Sequence, residues 1–222
     1  CPTAVEKEDP RSYYEVAARL AREIPGAWYP DQYSHQANPQ AHVESTGPEI
    51  WRQSAGRVTH FVATMGTGGT ITGCGKSLKA QAEAEGKPTP KVVGVDPVGS
   101  ILKEYFEKGT LGTPHTYMVE GFGEDFIPPA TDFSVIDEIR QVDDEICFKA
   151  TRRLAKIEGL FCGGSCGGAL HSALEIAEEA EAAGEKAVIV VILPDAGNPY
   201  LSKLYNDSWL RENGFEPDNW GL

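Results

Sequence analysis

No stretch of these 222 residues is apolar for long enough to cross a bilayer, which takes about 20 consecutive apolar residues. Positive charge is also scarce. Lys and Arg number 20 against 33 Asp and Glu, a formal net charge of −13. Nucleic acids and anionic membranes are held by basic patches, so neither is expected as a partner. An anionic small ligand would have to be held by local dipoles rather than by the global field. The five cysteines, an odd number at irregular spacing, make neither a disulfide framework nor a zinc knuckle. Cys162 and Cys166, with Gly163-Gly164-Ser165 between them, have the wrong interval for a metal site, and no metal is expected. The opening residues show no basic start followed by an apolar core, and the unpatterned cysteines make a reducing cytoplasm the expected location. Repeats, low-complexity tracts and long linkers are absent.

What is present is glycine at turns. Met65-Gly66-Thr67-Gly68-Gly69-Thr70-Ile71-Thr72-Gly73 follows the apolar run Phe61-Val62-Ala63 and leads into helical spacing from Ile71 to Leu78. The pattern predicts strand, glycine turn, helix start. A helix N-terminus offers unpaired N–H groups and partial positive charge, which suit a phosphate. Glycine lets the backbone approach an anion closely, and Thr67 and Thr70 add hydroxyls. The loop is not a Walker A motif, because no Gly-Lys-Ser/Thr closes it, and Ile71 stands where Gly-x-Gly-x-x-Gly needs its last glycine. A tight strand-to-helix turn without a ligand would carry the same glycines.

Along the chain, Glu8-Asp9-Pro10-Arg11-Ser12 reads as a helix entry, and Tyr13 to Ile24 as a helix stopped by Pro25-Gly26. Trp28 to Pro39 reads as an aromatic-rich loop, and Pro48 to Gln53 as a short helix. Val58–Thr64, Lys91–Asp96 and Val188–Leu193 are the expected buried strands, and Ser100–Lys108 a helix. Residues 109–133 read as loop. Asp143 is a plausible N-cap for a helix to Glu158 that faces the core with Ile146, Ala150, Leu154 and Ile157. The tail from Asp207 reads as a short helix and a polar end. Strands alternating with helices predict a parallel twisted sheet covered on both faces, with ligands beyond the carboxyl ends of the strands.

A second glycine turn, Leu160-Phe161-Cys162-Gly163-Gly164-Ser165-Cys166-Gly167-Gly168, places Ser165 just before a helix. Gly163-Gly164-Ser165-Cys166-Gly167 matches the Gly-x-Ser-x-Gly elbow of serine hydrolases. That elbow needs an acid and then a histidine downstream, and the last histidine is His171 in the very next helix, so no triad can form.

Five motifs in order, Gly66-Thr67-Gly68-Gly69-Thr70, Gly94-Val95-Asp96-Pro97-Val98-Gly99-Ser100, Glu120 to Pro128, Gly163-Gly164-Ser165 and Leu193-Pro194-Asp195, resemble the cystathionine β-synthase and cysteine synthase family of fold-type-II pyridoxal-phosphate enzymes. Asp96 to Leu102, the Gly-Glu-Asp-Phe-Ile-Pro stretch, Gln32-Tyr33 and Asn38-Pro39 are more similar to the cystathionine β-synthase branch. The resemblance implies pyridoxal 5'-phosphate as cofactor, with Gly66, Thr67, Gly68, Gly69 and Thr70 holding its phosphate and Ser165 hydrogen-bonded to its pyridine nitrogen. It implies a substrate pocket bordered by Gly121, Phe122 and Gly123 and approached by Tyr33. The implied reaction is β-replacement on serine or an O-activated serine through an aminoacrylate, with a thiol acceptor, homocysteine in the cystathionine β-synthase-like reading and sulfide in a cysteine synthase. A homodimer acting on small amino-acid and thiol substrates is the family expectation.

The family's Schiff-base lysine motif, Ser-x-Lys-Asp/Asn-Arg, and its Ser/Thr-Gly-Asn carboxylate loop do not occur in these residues. Both precede the point matched by Cys1. The chain is therefore expected to be the carboxy-terminal part of a longer enzyme, with residues 1–45 the remainder of a smaller mobile domain and its crossover, and residues 46–222 the large cofactor-binding domain. The alternative is a shortened, non-catalytic homologue acting as a binding or regulatory scaffold.

Overall fold

The computed structural model describes residues 1, 7 and 9–221. Glu8 of the expected helix entry lies outside the described residues. In chain order the elements are α1 (Tyr13–Glu23), α2 (Ala37–Glu44), α3 (Thr46–Gln53), β1 (His60–Thr64), α4 (Gly69–Ala84), β2 (Lys91–Pro97), α5 (Leu102–Lys108), β3 (Glu138–Val142), α6 (Asp144–Glu158), α7 (Gly164–Ala183), β4 (Ile189–Val191) and α8 (Asp207–Glu212). Short 3-10 turns occupy 133–135, 198–200 and 217–220.

The four strands form one parallel sheet in the order β3-β2-β1-β4. Val62 pairs with Val93 on one side and Val191 on the other. Alternation along β1 and β2 divides the core in two. Phe61, Ala63 and Val92 pack with Trp51, Met65, Ile71 and Leu78 beneath α3 and α4. Val62, Val93 and Val95 pack on the opposite face with Phe148, Ile176, Leu204, Leu210 and Trp220. Burying a side chain such as Phe61 or Leu78, each with no exposed surface, stabilises the fold by about 1.5–3 kcal/mol. Within β2, Gly94 leaves room for Met65, which lies where its side chain would be. No helix among the described residues is long and apolar enough to cross a membrane.

Several expectations shift. Beyond α1, the stretch read as loop, Trp28 to Pro39, runs into the first three residues of α2, a helix that the sequence reading did not include. A further strand, β3, follows the loop-rich stretch, and its outward residues Glu138, Arg140 and Gln141 hide it from an apolar search. On α6, Asp143 is the N-cap, accepting from Ile146 N at 2.8 Å. The buried face, however, is Cys147, Phe148, Thr151 and Leu154, while Ile157 is 61% exposed. The cause lies on α7. A side chain at Gly167 would come 2.7 Å from Thr151 N, so the two helices meet backbone to backbone through glycine and turn Cys147 and Thr151 inward. The tail ends in a buried Trp220 whose indole donates to Glu145 Oε1 at 2.9 Å, rather than in a polar segment. At the opposite end of the sheet from β3, β4 is half-buried, with no strand on its outer side among the described residues.

Candidate functional site

The carboxyl ends of β1 and β2 open into a cleft of about 1010 Å³. Gly66, Thr67, Gly68 and Thr70 line its floor, and residues 114–125 form one wall. At the N-cap of α4, Gly68 adopts φ +76, the left-handed region that glycine tolerates. The turn is braced from outside: Asn38 Nδ2 donates to Thr67 Oγ1 at 3.1 Å, Thr131 Oγ1 donates to Thr67 O at 3.3 Å, and Thr70 Oγ1 meets His42 Nε2 at 3.2 Å. Gly69 N points weakly at Thr67 Oγ1, at 3.4 Å. The N–H groups of Gly68, Thr70 and Ile71 have no acceptor among the described residues. Unpaired amides at the start of a sixteen-residue helix, facing a cleft, fit a phosphate.

The wall is set by backbone. Gly123 N donates to Met65 O at 2.6 Å, tying the wall to the floor. Gly121 and Gly123 take φ +93 and +83. A side chain at Gly66 would sit 3.4 Å from Gly121 O, and one at Gly121 would sit 3.9 Å from Ser165 Oγ. Gly66, Gly121 and Ser165 are thus successive layers, with Ser165 at the start of α7 beneath the wall. Ser165 is 2% exposed, and its hydroxyl forms no hydrogen bond among the described residues. The same turn is anchored from the end of β4: Asp195 O accepts from Gly163 N at 3.3 Å, and Tyr200 OH donates to Asp195 Oδ2 at 2.7 Å. Farther out, Asp144 accepts from Met118 N and Val119 N at 2.7 to 2.9 Å and holds the wall against α6.

Glu124 occupies the junction of floor, wall and α1. Its Oε2 accepts from Tyr14 OH at 3.2 Å, while Oε1 lies 3.9 Å from where a side chain at Gly66 would begin. Tyr13 OH bonds both Tyr14 OH and Tyr33 OH, the latter at 3.0 Å. Burial pushes the Glu124 carboxyl up to about 7, against the opposing hydrogen bonds of Tyr14 and Tyr33. Burial also raises Tyr14 and Tyr33 well above the usual phenol range, so both remain neutral. Asp96, buried beside the wall, is pushed up to about 6 by the same loss of water.

Of the residues singled out from sequence, Gly66, Thr67, Gly68, Thr70, Tyr33, Gly121, Phe122 and Gly123 all line the cleft. Gly69 follows Gly68 as the first residue of α4, pressed against Asn38. Ser165 lies one layer below. Phe122 contributes backbone only, since its ring is buried in the core near Gly168. Sequence reasoning passed over Glu124, Tyr13, Tyr14 and Asp144 as site residues. An acid directly after Gly121-Phe122-Gly123 was a usable signal for Glu124; nothing local marks the tyrosines.

A family profile described as "Pyridoxal-phosphate dependent enzyme" matches residues 3–195. Among curated proteins, the chain is 41% identical over 214 residues to the cystathionine beta-synthase of Apis mellifera, 43% over 215 residues to that of Rattus norvegicus, and 40% over 225 residues to that of Saccharomyces cerevisiae. These alignments take in 96%, 96% and 98% of this chain but 40%, 36% and 43% of the relatives. The chain spans roughly two fifths of the length of the curated relatives it matches.

Proposed function

The chain belongs to the pyridoxal-phosphate dependent enzymes, with their fold-type-II architecture, and from that premise we propose that it forms the cofactor-holding part of a β-replacement enzyme. The donor is serine or an O-activated serine, and the acceptor is a thiol. Homocysteine is the first choice, from the similarity to cystathionine beta-synthases, and sulfide, as in a cysteine synthase, is the alternative. The observation that carries the reading is the cradle of unpaired amides at Gly68, Thr70 and Ile71 with the hydroxyl of Ser165, a residue 2% exposed, two layers away through Gly66 and Gly121. One end suits a phosphate and the other a ring nitrogen.

In this reading Gly66 to Thr70 fix the phosphate through backbone N–H groups and the Thr67 and Thr70 hydroxyls. Ser165 orients the ring and, being neutral, does not hold the ring nitrogen protonated by charge. When bound, the cofactor supplies the electron-withdrawing ring that labilises the amino acid's α and β positions. Gly121 and Gly123 let substrate approach the backbone, Phe122 fixes the wall through the core, and Tyr33 closes the open side. Residues 1–45 act as part of a mobile smaller domain and 46–222 as the cofactor domain, and the working unit is a homodimer in the cytoplasm. The aldehyde-binding lysine comes from outside these 222 residues.

A second reading has one observation in its favour. Lys203 is the lysine lining the cleft among the described residues, and it is ion-paired with Glu120. A protein with no other amine in reach would form no imine and would serve as a binding or regulatory scaffold for a partner. An absorption spectrum of natively purified protein near about 410 nm, where a pyridoxal imine absorbs, separates the two. A band that borohydride fixes onto a lysine outside this sequence supports the enzyme. A protein without that band, and without measurable binding of pyridoxal phosphate, supports the scaffold.

A further inference from the structure

We propose that Glu124 is the proton acceptor for the incoming thiol, a residue acting on the second substrate of the β-replacement reading and resting on that reading. Three observations point there. First, the residue is held on both sides: its N–H donates to Ser100 Oγ at 3.0 Å, and its carbonyl accepts from Ile101 N at 3.0 Å and Ser100 Oγ at 3.1 Å. The side chain therefore leaves a fixed backbone. Second, Oε1 is turned toward Gly66 on the cleft floor, beside the phosphate cradle, while Oε2 faces Tyr14. Third, no Lys or Arg among the described residues forms an ion pair with the carboxylate. Lys7 is engaged over the Phe126 ring, 3.9 Å from its centroid.

The groups facing Glu124 are Tyr13, Tyr14 and Tyr33 from α1 and the loop after it, Tyr117 and Asp125 from the wall, and Lys7. The floor presents glycine and threonine only. Burial outweighs the tyrosine hydrogen bonds and leaves the carboxyl titrating near neutrality, about 7. Such a base suits a thiol, whose unperturbed pKa is about 8.5, because proton transfer is most effective between groups of similar affinity near working pH. In the step, the S–H bond breaks, its proton goes to Oε1, the electron pair left on sulfur forms the new bond to the β-carbon of the aminoacrylate, and the Cα=Cβ π bond opens, its pair passing to the α-carbon, which takes up a proton. Water entering the open cleft then takes the proton from Oε1, while Tyr14, which burial keeps protonated, continues to donate to Oε2.

The test uses the complete polypeptide that carries this chain, with the two half-reactions followed separately by rapid mixing. In Glu124→Gln, the acceptor half-reaction should slow roughly a hundredfold and lose the rise in rate through about pH 7, while the donor half-reaction keeps its rate. In Tyr14→Phe, the same rise should move to higher pH, because a hydrogen bond favouring the carboxylate is gone; a merely structural role would not move it. Infrared difference spectra of the substrate-free protein give a readout independent of turnover, a carboxylic acid band that disappears through about pH 7 in wild type and is missing from Glu124→Gln. A wild type active in both halves whose Glu124→Gln variant keeps rate and pH profile overturns the proposal alone, as does absence of the infrared band. A wild type that performs neither half-reaction overturns the β-replacement reading and this proposal with it.

Discussion

Thr131 occupies the space that a side chain on Gly68 would need: an added Cβ would lie 2.7 Å from Thr131 Cβ and 2.9 Å from its Cα, inside any tolerable contact. Gly68 also sits at φ +76. Gly68→Ala therefore meets two penalties, left-handed backbone and overlap, together about 3 kcal/mol. Its urea midpoint should fall accordingly. Adding Thr131→Gly should restore the part due to overlap and leave the part due to φ. Phosphate-dependent binding of pyridoxal phosphate should be lost in both variants.

Ser165 makes the opposite prediction. Its hydroxyl serves no partner among the described residues, so Ser165→Ala should change stability by no more than about 0.5 kcal/mol. Affinity for the cofactor should nevertheless fall about two- to tenfold, the loss of one hydrogen bond. A binding titration followed by absorbance, set beside thermal unfolding of the same variant, checks both halves.

The raised Glu124 carboxyl has a thermodynamic sign. The native state keeps a proton that the unfolded chain releases from about pH 4.5 upward, so its contribution is fully present below about 4.5 and is lost as pH rises toward about 7. The loss is at most about 3 kcal/mol. Glu124→Gln should show no such loss and should gain on wild type between about pH 5 and pH 8 in urea unfolding. Asp96, raised to about 6, stays in both proteins and cancels in the comparison.

Asp144 anchors the wall through Met118 N and Val119 N. Asp144→Ala should cost about 2 kcal/mol, as expected for amides bonded to a charged acceptor. Amide hydrogen exchange at 118 and 119 should accelerate well beyond the change elsewhere in the sheet.

How far the sequence foretold this is uneven, for physical reasons. The glycine turns that open α4 and α7 and the Asp143 cap were legible as backbone because each is a local device in which a few adjacent residues state the conformation they require. Strand β3 was not. It lies at the sheet edge, where Arg140 satisfies itself laterally with Glu138 and Glu179 instead of burying an apolar row. Helix α2 was hidden because its fit depends on its partner: Gly73 of α4 leaves room for the Cβ of His42, which a side chain there would approach to 2.6 Å. The Tyr14 to Glu124 bond joins residues 110 positions apart, and no spacing rule reaches that far.

The outer side of β4 has a consequence for handling the protein. Ile189, Val190 and Val191 are half-buried, and no strand pairs with them there among the described residues. Their free N–H and C=O groups are a template on which another chain can add a strand. The net charge of −13 keeps such encounters apart only while it is unscreened. A preparation of these 222 residues alone should therefore stay dispersed at low ionic strength and aggregate as salt is added, reversing the usual advice to add salt for solubility.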